Sequence, residues 1–350
     1  ASMATKRFAI LTGLSGSGKT QLAVRFGEWL GSDRSLVVPV RPDWTGAEAL
    51  FGYEDALREE VDGRRAWQVP ASLEFMLQAG GDVGRPYTLV LDEMNLAHVE
   101  RYFADVLSGM ELDYSCLPNL VREGDGLWRI PAGADPRVPV PRNLMVIGTV
   151  NVDETTYMFS PKVLDRANTF EFRVRTADLE VGHEKPVPLE PGPADLVAGF
   201  LAIAADDQWH LDHPAPGQDV FTGHMRALHE LLSEEGFEFG HRLFYEAVRF
   251  AAMYAAAGNN DPLQALDLQI MQKVLPRLHG SRRRLEATLC AIGQFCQNPD
   301  SDYKPGLRDA AARFDPLQTS MAEARLPISF EKVARMTRAL RANQFVSFTE

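Results

Sequence analysis

Apolar positions in the first half of the chain come in short runs. Phe8-Ala9-Ile10-Leu11 stops at a glycine-rich turn, and 21–30 then carries apolar residues at helical spacing. The order predicted is strand, loop, helix. Leu36-Val37-Val38-Pro39-Val40 is a second strand, and its proline, which cannot donate to a ladder, places it toward a sheet edge. Tyr87-Thr88-Leu89-Val90-Leu91 is a buried-strand pattern halted by two acids, and a helix follows over 99–112. Residues 143–150 read as a further buried strand, while 169–174 alternates like a half-exposed one. Strands spaced by helices in this way imply an α/β domain with a five-stranded, mostly parallel sheet covered on both faces. A Pro/Gly-rich insertion near 116–142 carries Leu120-Val121 and 127–130 around Glu123-Gly124-Asp125-Gly126, which is the pattern of a small β-hairpin.

Beyond 175 the pattern changes. Residues 176–195 are rich in proline and acids and read as a linker, and from 196 the periodicity is helical, at 196–205, 225–233, 242–257, 261–278, 282–295 and 330–342. The expected organisation is an α/β domain over 1–175 and a helical lid domain over 196–350. No internal repeat is visible.

Composition narrows the function. At 350 residues the chain has room for about two domains. No run approaches the roughly 20 apolar residues that cross a bilayer, so no membrane role is expected. No charged segment leading into an apolar one opens the chain, and the expected compartment is the cytoplasm. A formal net charge of −12 speaks against a broad basic footprint, so any DNA contact is local or belongs to an assembly. Cys116, Cys290 and Cys296 form no C-x-x-C pair and read as buried free thiols. His210 and His213 lack a further ligand nearby, and no structural metal is assigned.

The chemistry sits at the ends of the strands. Gly13-Leu14-Ser15-Gly16-Ser17-Gly18-Lys19-Thr20 satisfies G-x-x-x-x-G-K-[ST] between a strand and a helix, the context that separates a phosphate-binding P-loop from a chance turn. Gly13, Ser15, Gly16, Ser17 and Gly18 would turn backbone N–H groups toward phosphates at a helix N-terminus, Lys19 would reach the β and γ oxygens, and Gln21 continues the nucleotide-binding segment. Thr20 and Asp92 are the expected Mg²⁺-side residues, and Glu93 the group that polarises the attacking water. As an isolated pair Asp-Glu is more often a cap or a solvated turn. Asn151, ending its strand, could orient that water or sense the γ-phosphate. Arg166, just before the last strand, could reach a neighbouring subunit's site, with an ion pair to Asp165 or Glu171 as the competing reading. Arg242, opening a helix of the second domain, could touch phosphates or be a surface arginine.

Together these elements resemble the AAA+ ATPases and, within them, the McrB-type motor subunits of modification-dependent restriction systems. The resemblance is carried by Gly13 to Thr20, Leu91-Asp92-Glu93-Met94-Asn95, Ile147-Gly148-Thr149-Val150-Asn151 and Ser160 to Arg166. Arg41-Pro42-Asp43-Trp44, the segment 275–284 and Phe345-Val346-Ser347-Phe348 add to it. It implies that Asp92 and Glu93 are the Walker B acids, Asn151 sensor 1, Arg166 an arginine finger and Arg242 sensor 2. It also implies a homo-oligomeric ring, expected to be a hexamer, that hydrolyses Mg-NTP and moves DNA for a McrC-like nuclease subunit. A MoxR-like chaperone that remodels protein complexes shares the hairpin and the Asp-Glu-Met-Asn style of motif, and a nucleotide-binding switch with little turnover is a third reading. McrB proteins prefer GTP and carry Met-Asn-x-x-Asp, whereas this chain has Val150-Asn151-Val152-Asp153-Glu154. ATP is therefore the expected nucleotide, with GTP possible. The modified-DNA reader that family members carry ahead of the first strand lies outside this sequence.

Overall fold

A computed structural model describes residues 1–152, 157, 159–174, 176, 179, 187, 189–300 and 313–348. The chain divides into two compact units. One comprises Arg7–Arg166 and Glu171–Ala205, the other Ala1–Lys6, Ala167–Phe170 and Asp206–Glu350.

In chain order the strands of the α/β part are β1 (Phe8–Gly13), β2 (Ser35–Pro39), β3 (Tyr53–Glu54), β4 (Trp67–Gln68), β5 (Tyr87–Asp92), β6 (Ser115–Pro118), β7 (Val121–Arg122), β8 (Trp128–Arg129), β9 (Arg137–Pro139), β10 (Leu144–Asn151) and β11 (Asn168–Phe172). The main sheet has five strands in the order β11-β1-β10-β5-β2. The described pairings β1–β10, β10–β5 and β5–β2 are all parallel. As the middle strand, β10 is buried along its whole length, which is why its sequence is a continuous apolar run rather than an alternating one. β2 lies at the edge with Pro39 opposite Asp92, where a residue without an N–H costs the ladder least. The helix Lys19–Gly31 runs from β1, and Ala71–Gly81 precedes β5. Asn143 ties that second helix to the head of β10. Its buried Nδ2 donates toward the carbonyls of Ala79, Asp82 and Arg85 at 3.0, 2.9 and 2.7 Å.

The hairpin expected between 116 and 142 is β7–β8. It is part of something larger, a four-stranded sheet in the order β3-β4-β8-β7, with β6 and β9 paired separately. Strands two residues long leave no periodicity to read, so β3 and β4 escaped the sequence pattern. Arg129, only 3% exposed, pins the hairpin tip by ion pairs to Glu123 and Asp125 at 2.8 Å each.

Three expected elements change. The helix over 99–112 is two, Val99–Tyr102 and Ala104–Leu112, because the Phe103 backbone opens to φ −114° and ψ −3° while its ring packs 5.3 Å from Phe8. β11 does not alternate: Asn168 and Thr169 are buried and Phe170 to Phe172 half-buried. The helix over 261–278 is Pro262–Gln269, then a π turn at Ile270–Val274 and a 3₁₀ turn at Leu275–Arg277. Pro276 lacks the N–H that a continuing helix would need, and its ring crowds the preceding turn.

The second unit is helical. Gln218–Ser233, His241–Ala256, Pro262–Gln269, Arg282–Gln297 and Pro327–Asn343 enclose a core that includes Phe221, Met225, Phe250, Leu266, Leu289, Phe295, Phe330 and Met336. β12 (Gly280–Ser281) pairs with β13 (Phe345–Val346) beside it. The helix Ala194–Ala205, grouped by its periodicity with this bundle, packs instead in the α/β unit, where Phe200 meets Phe26 edge-on at 6.1 Å. The helical unit also buries a charge cluster. Glu246 faces Lys6 and, at 2.8 Å, Lys273, and Lys273 donates to the Ala167 carbonyl at 2.9 Å. Burial pushes the Lys6 ammonium down to about 7, with Lys273 adding to the fall and Glu246 opposing it. Lys273 is also lowered, chiefly by burial.

Candidate functional site

Positive φ angles build the P-loop. Gly13, Gly16 and Gly18 have φ of 152°, 74° and 91°, values that side chains resist. Gly13 is held to glycine twice, since a Cβ there would lie 2.4 Å from the Phe172 carbonyl oxygen. Gly18 caps the helix Lys19–Gly31 in left-handed geometry, so the first N–H groups of that helix face the loop with the positive end of its dipole behind them. Leu14, Ser15, Gly16 and Gln21 are exposed, whereas Lys19 is buried. The Lys19 ammonium donates to the carbonyls of Gly13 at 2.9 Å and Leu14 at 2.6 Å and to Ser17 Oγ at 3.3 Å, so its charge sits inside the loop.

The parallel register brings the acids to this loop. β1 and β5 flank β10, and Gly13 lies opposite Asn151. Thr20 Oγ1 donates to Asp92 Oδ1 at 2.7 Å across 72 residues of sequence. A hydroxyl and a carboxylate beside phosphate-directed N–H groups are the hard oxygen donors that Mg²⁺ takes together with nucleotide phosphates, so the residues present fit that ion. Glu93 follows in the left-handed region, φ 53° and ψ 48°, which is uncommon for a residue with a side chain. Asn151 Nδ2 donates to Glu93 Oε1 at 3.1 Å.

Sequence reasoning assigned no role to Thr149. Its hydroxyl donates to Asp92 Oδ1 at 2.7 Å and accepts from the Glu93 N–H at 2.9 Å. The signal was present: Thr149 stands two residues before Asn151, hence on the same strand face, as a polar residue within an otherwise apolar run. Tyr102 was missed too. Its hydroxyl donates to the Met94 carbonyl at 2.8 Å, and its ring meets Trp44 edge-on at 5.1 Å. Trp44 thereby supports the turn after Glu93. Asn95 Nδ2 donates to the Asn151 carbonyl at 3.2 Å, and Met94 rests on Gly148, where a Cβ would come within 2.4 Å of its sulfur. The Asp-Glu-Met-Asn run and the Gly-Thr-Val-Asn run are thus two halves of one packed turn.

Arg166, in the α/β unit, ion-pairs with Glu111 rather than with Asp165 or Glu171. Arg242 is the second residue of the helix His241–Ala256. After burial itself, its charge is among the causes that lower Lys6, Lys273 and Arg277. Asp153 and Glu154, the departures after Asn151, and half of the expected linker at 176–195 fall outside the described residues. Cys116, Cys290 and Cys296 are buried and unpaired with one another, and burial raises all three thiols. Among the described residues no helix is long and apolar enough to cross a membrane.

Residues 206–345 match a family described as a domain of unknown function (DUF8727). Over 189 residues the chain is 26% identical to the type IV methyl-directed restriction enzyme EcoKMcrB subunit of Escherichia coli (strain K12), covering 52% of this chain and 37% of that protein. The chain thus spans little more than a third of that relative. Two solved structures share 12% identity each. One is a candidate ATPase from Cytophaga hutchinsonii, with a TM-score of 0.47 over 79% of this chain and 78% of that one. The other is NtrX from Brucella abortus in complex with ADP, with a TM-score of 0.26 over 97% of this chain and 64% of that one. The chain has a five-stranded P-loop α/β fold with a helical C-terminal region, and it resembles the AAA+ ATPases and, within them, the McrB-type subunits.

Proposed function

We propose that this chain is a Mg-dependent nucleoside triphosphatase that works as a ring motor, coupling hydrolysis to DNA movement for a McrC-like nuclease subunit. One observation carries the hydrolytic part: Thr20, Asp92, Glu93 and Asn151 form a connected set of hydrogen bonds beside the P-loop, either directly or through Thr149. The loop amides and Lys19 bind the phosphates, and Thr20 with Asp92 would hold the cation. That ion would supply charge neutralisation at the β and γ oxygens. Glu93 takes the proton of the attacking water as the new P–O bond forms and the bond to the β–γ bridging oxygen breaks. Asn151 fixes which carboxylate oxygen of Glu93 remains for that water. ATP is the proposed nucleotide, with GTP possible. In this reading the active form is a hexameric cytoplasmic ring, Arg166 completes a neighbour's site, and Arg242 acts as sensor 2. The restriction role rests on the E. coli relative, whose name states it.

The test separates binding from turnover. Lys19→Ala is expected to lose fluorescent-nucleotide binding, whereas Glu93→Gln keeps it and loses about 10²- to 10⁴-fold in phosphate release, the usual range for a general base. Wild-type turnover in Glu93→Gln would remove Glu93 from the role.

A further inference from the structure

We propose that Thr149 is a positioning residue for hydrolysis: it sets the Walker B acids relative to one another through a single hydroxyl. The inference rests on the nucleotide-hydrolysing reading above and deepens it. A threonine hydroxyl offers one proton and two lone pairs. The Glu93 amide is a donor, so it must use a lone pair of Oγ1, which leaves the hydroxyl proton for Asp92. The two contacts, 2.9 and 2.7 Å, therefore fix the direction of each other. Only a hydroxyl serves both neighbours in this way, since an aliphatic side chain serves neither and a second donor would confront the Glu93 N–H.

Three features make this more than backbone satisfaction. Thr149 is 2% exposed, so water does not readily replace it. It shares its acceptor, Asp92 Oδ1, with Thr20. Two hydroxyls converge on that one oxygen, which fixes the rotation of the carboxylate and aims its other oxygen. Finally, the amide it holds belongs to Glu93, whose φ of 53° is the unusual backbone state that carries the Glu93 side chain out of the strand. The same strand face presents Asn151 to Glu93 Oε1. β10 therefore holds Glu93 at both ends, the amide through Thr149 and the carboxylate through Asn151.

Thr149→Val keeps the branched shape and removes only the hydroxyl, while Thr149→Ser keeps the hydroxyl and removes a methyl. In the full chain, Thr149→Val is expected to lower kcat about 10- to 100-fold, the cost of stranding the Glu93 N–H and freeing the Asp92 carboxylate to rotate near the reacting centre. Binding of a fluorescent nucleotide and the KM should stay within about threefold, as when the interaction removed is one made in the transition state. The Mg²⁺ concentration that half-saturates nucleotide binding should rise in Thr149→Val and return in Thr149→Ser together with kcat. Wild-type kcat in Thr149→Val would overturn the inference and leave the hydrolytic reading intact. So would an equal loss in both variants with a lowered unfolding midpoint, since that marks a packing role. A wild-type chain that binds nucleotide without hydrolysing it would instead remove the reading on which the inference rests.

Discussion

Lys6→Met should change how stability depends on pH, and the size of the change follows from the cluster at Glu246. Two ammonium groups, Lys6 and Lys273, share one buried carboxylate, so the site holds one cation too many. The Lys6 side chain is 17% exposed, and burial brings it from 10.5 to about 7. Between those values the unfolded chain keeps the Lys6 proton and the folded chain has released it. Stability is therefore flat below about pH 7 and rises from there toward pH 10.5. At about 1.4 kcal/mol per tenfold step the ceiling is about 5 kcal/mol, of which about 3 kcal/mol falls between pH 7 and 9.5. Methionine fills similar volume without charge and leaves Glu246 and Lys273 as a balanced pair. Urea unfolding followed by circular dichroism at pH 7 and pH 9.5 measures the effect, and the quantity to compare is the difference between wild type and variant, because other groups titrate in both. Wild type should gain about 2–3 kcal/mol on Lys6→Met over that interval. An unchanged difference would refute the claim that Lys6 carries the surplus charge.

Two further outcomes are expected. Asn143→Ala leaves the Ala79, Asp82 and Arg85 carbonyls without the buried amide that they share and should cost about 2–4 kcal/mol in urea unfolding; a loss under 1 kcal/mol would show that water or relaxation replaces it. Arg166→Ala should bind nucleotide yet turn over poorly, and mixing it with Glu93→Gln subunits should recover part of the activity, whereas no recovery in a co-assembled mixture would confine Arg166 to its pair with Glu111.

What was legible in the sequence was local. The P-loop is eight consecutive residues whose glycines are required by their own φ angles, and four of the five main strands, β1, β2, β5 and β10, are largely apolar runs. The edge position of β2 was readable from Pro39 alone. The four-stranded sheet was half legible: the β7–β8 hairpin announced itself by its Glu-Gly-Asp-Gly turn, while β3 and β4, two residues each amid charges, carried no pattern. The helices over 99–112 and 261–278 broke where tertiary demands at Phe103 and the missing donor at Pro276 outweighed a periodic run. The site's internal wiring was the least legible part. Alternation along β10 puts Thr149 and Asn151 on one face, but that they meet Asp92 and Glu93 depends on the register of β10 against β5, more than 50 residues away.

Local rules also fail where the proposed chemistry is most demanding. Glycine is the residue that left-handed backbone favours, and at 93 it would remove strain of about 1–2 kcal/mol. Glycine would also remove the carboxylate. The surroundings hold the strained state instead: Thr149 accepts from the Glu93 amide, the Glu93 carbonyl accepts from the Leu96 N–H at 2.9 Å, and Tyr102 fixes the next carbonyl along. Each of these contacts is directional, so together they constrain both peptide planes that flank Glu93. A side chain launched from a left-handed residue departs from the strand at an angle that an extended backbone cannot give, and that departure lets Glu93 meet Asn151 while Asp92, one residue earlier, meets Thr20. Adjacent acids in an extended strand would point to opposite faces. The left-handed turn at Glu93 is what allows two consecutive carboxylates to join one hydrogen-bonded set, and it explains why the residues behind it, Met94, Asn95 and Tyr102, are tied down so closely.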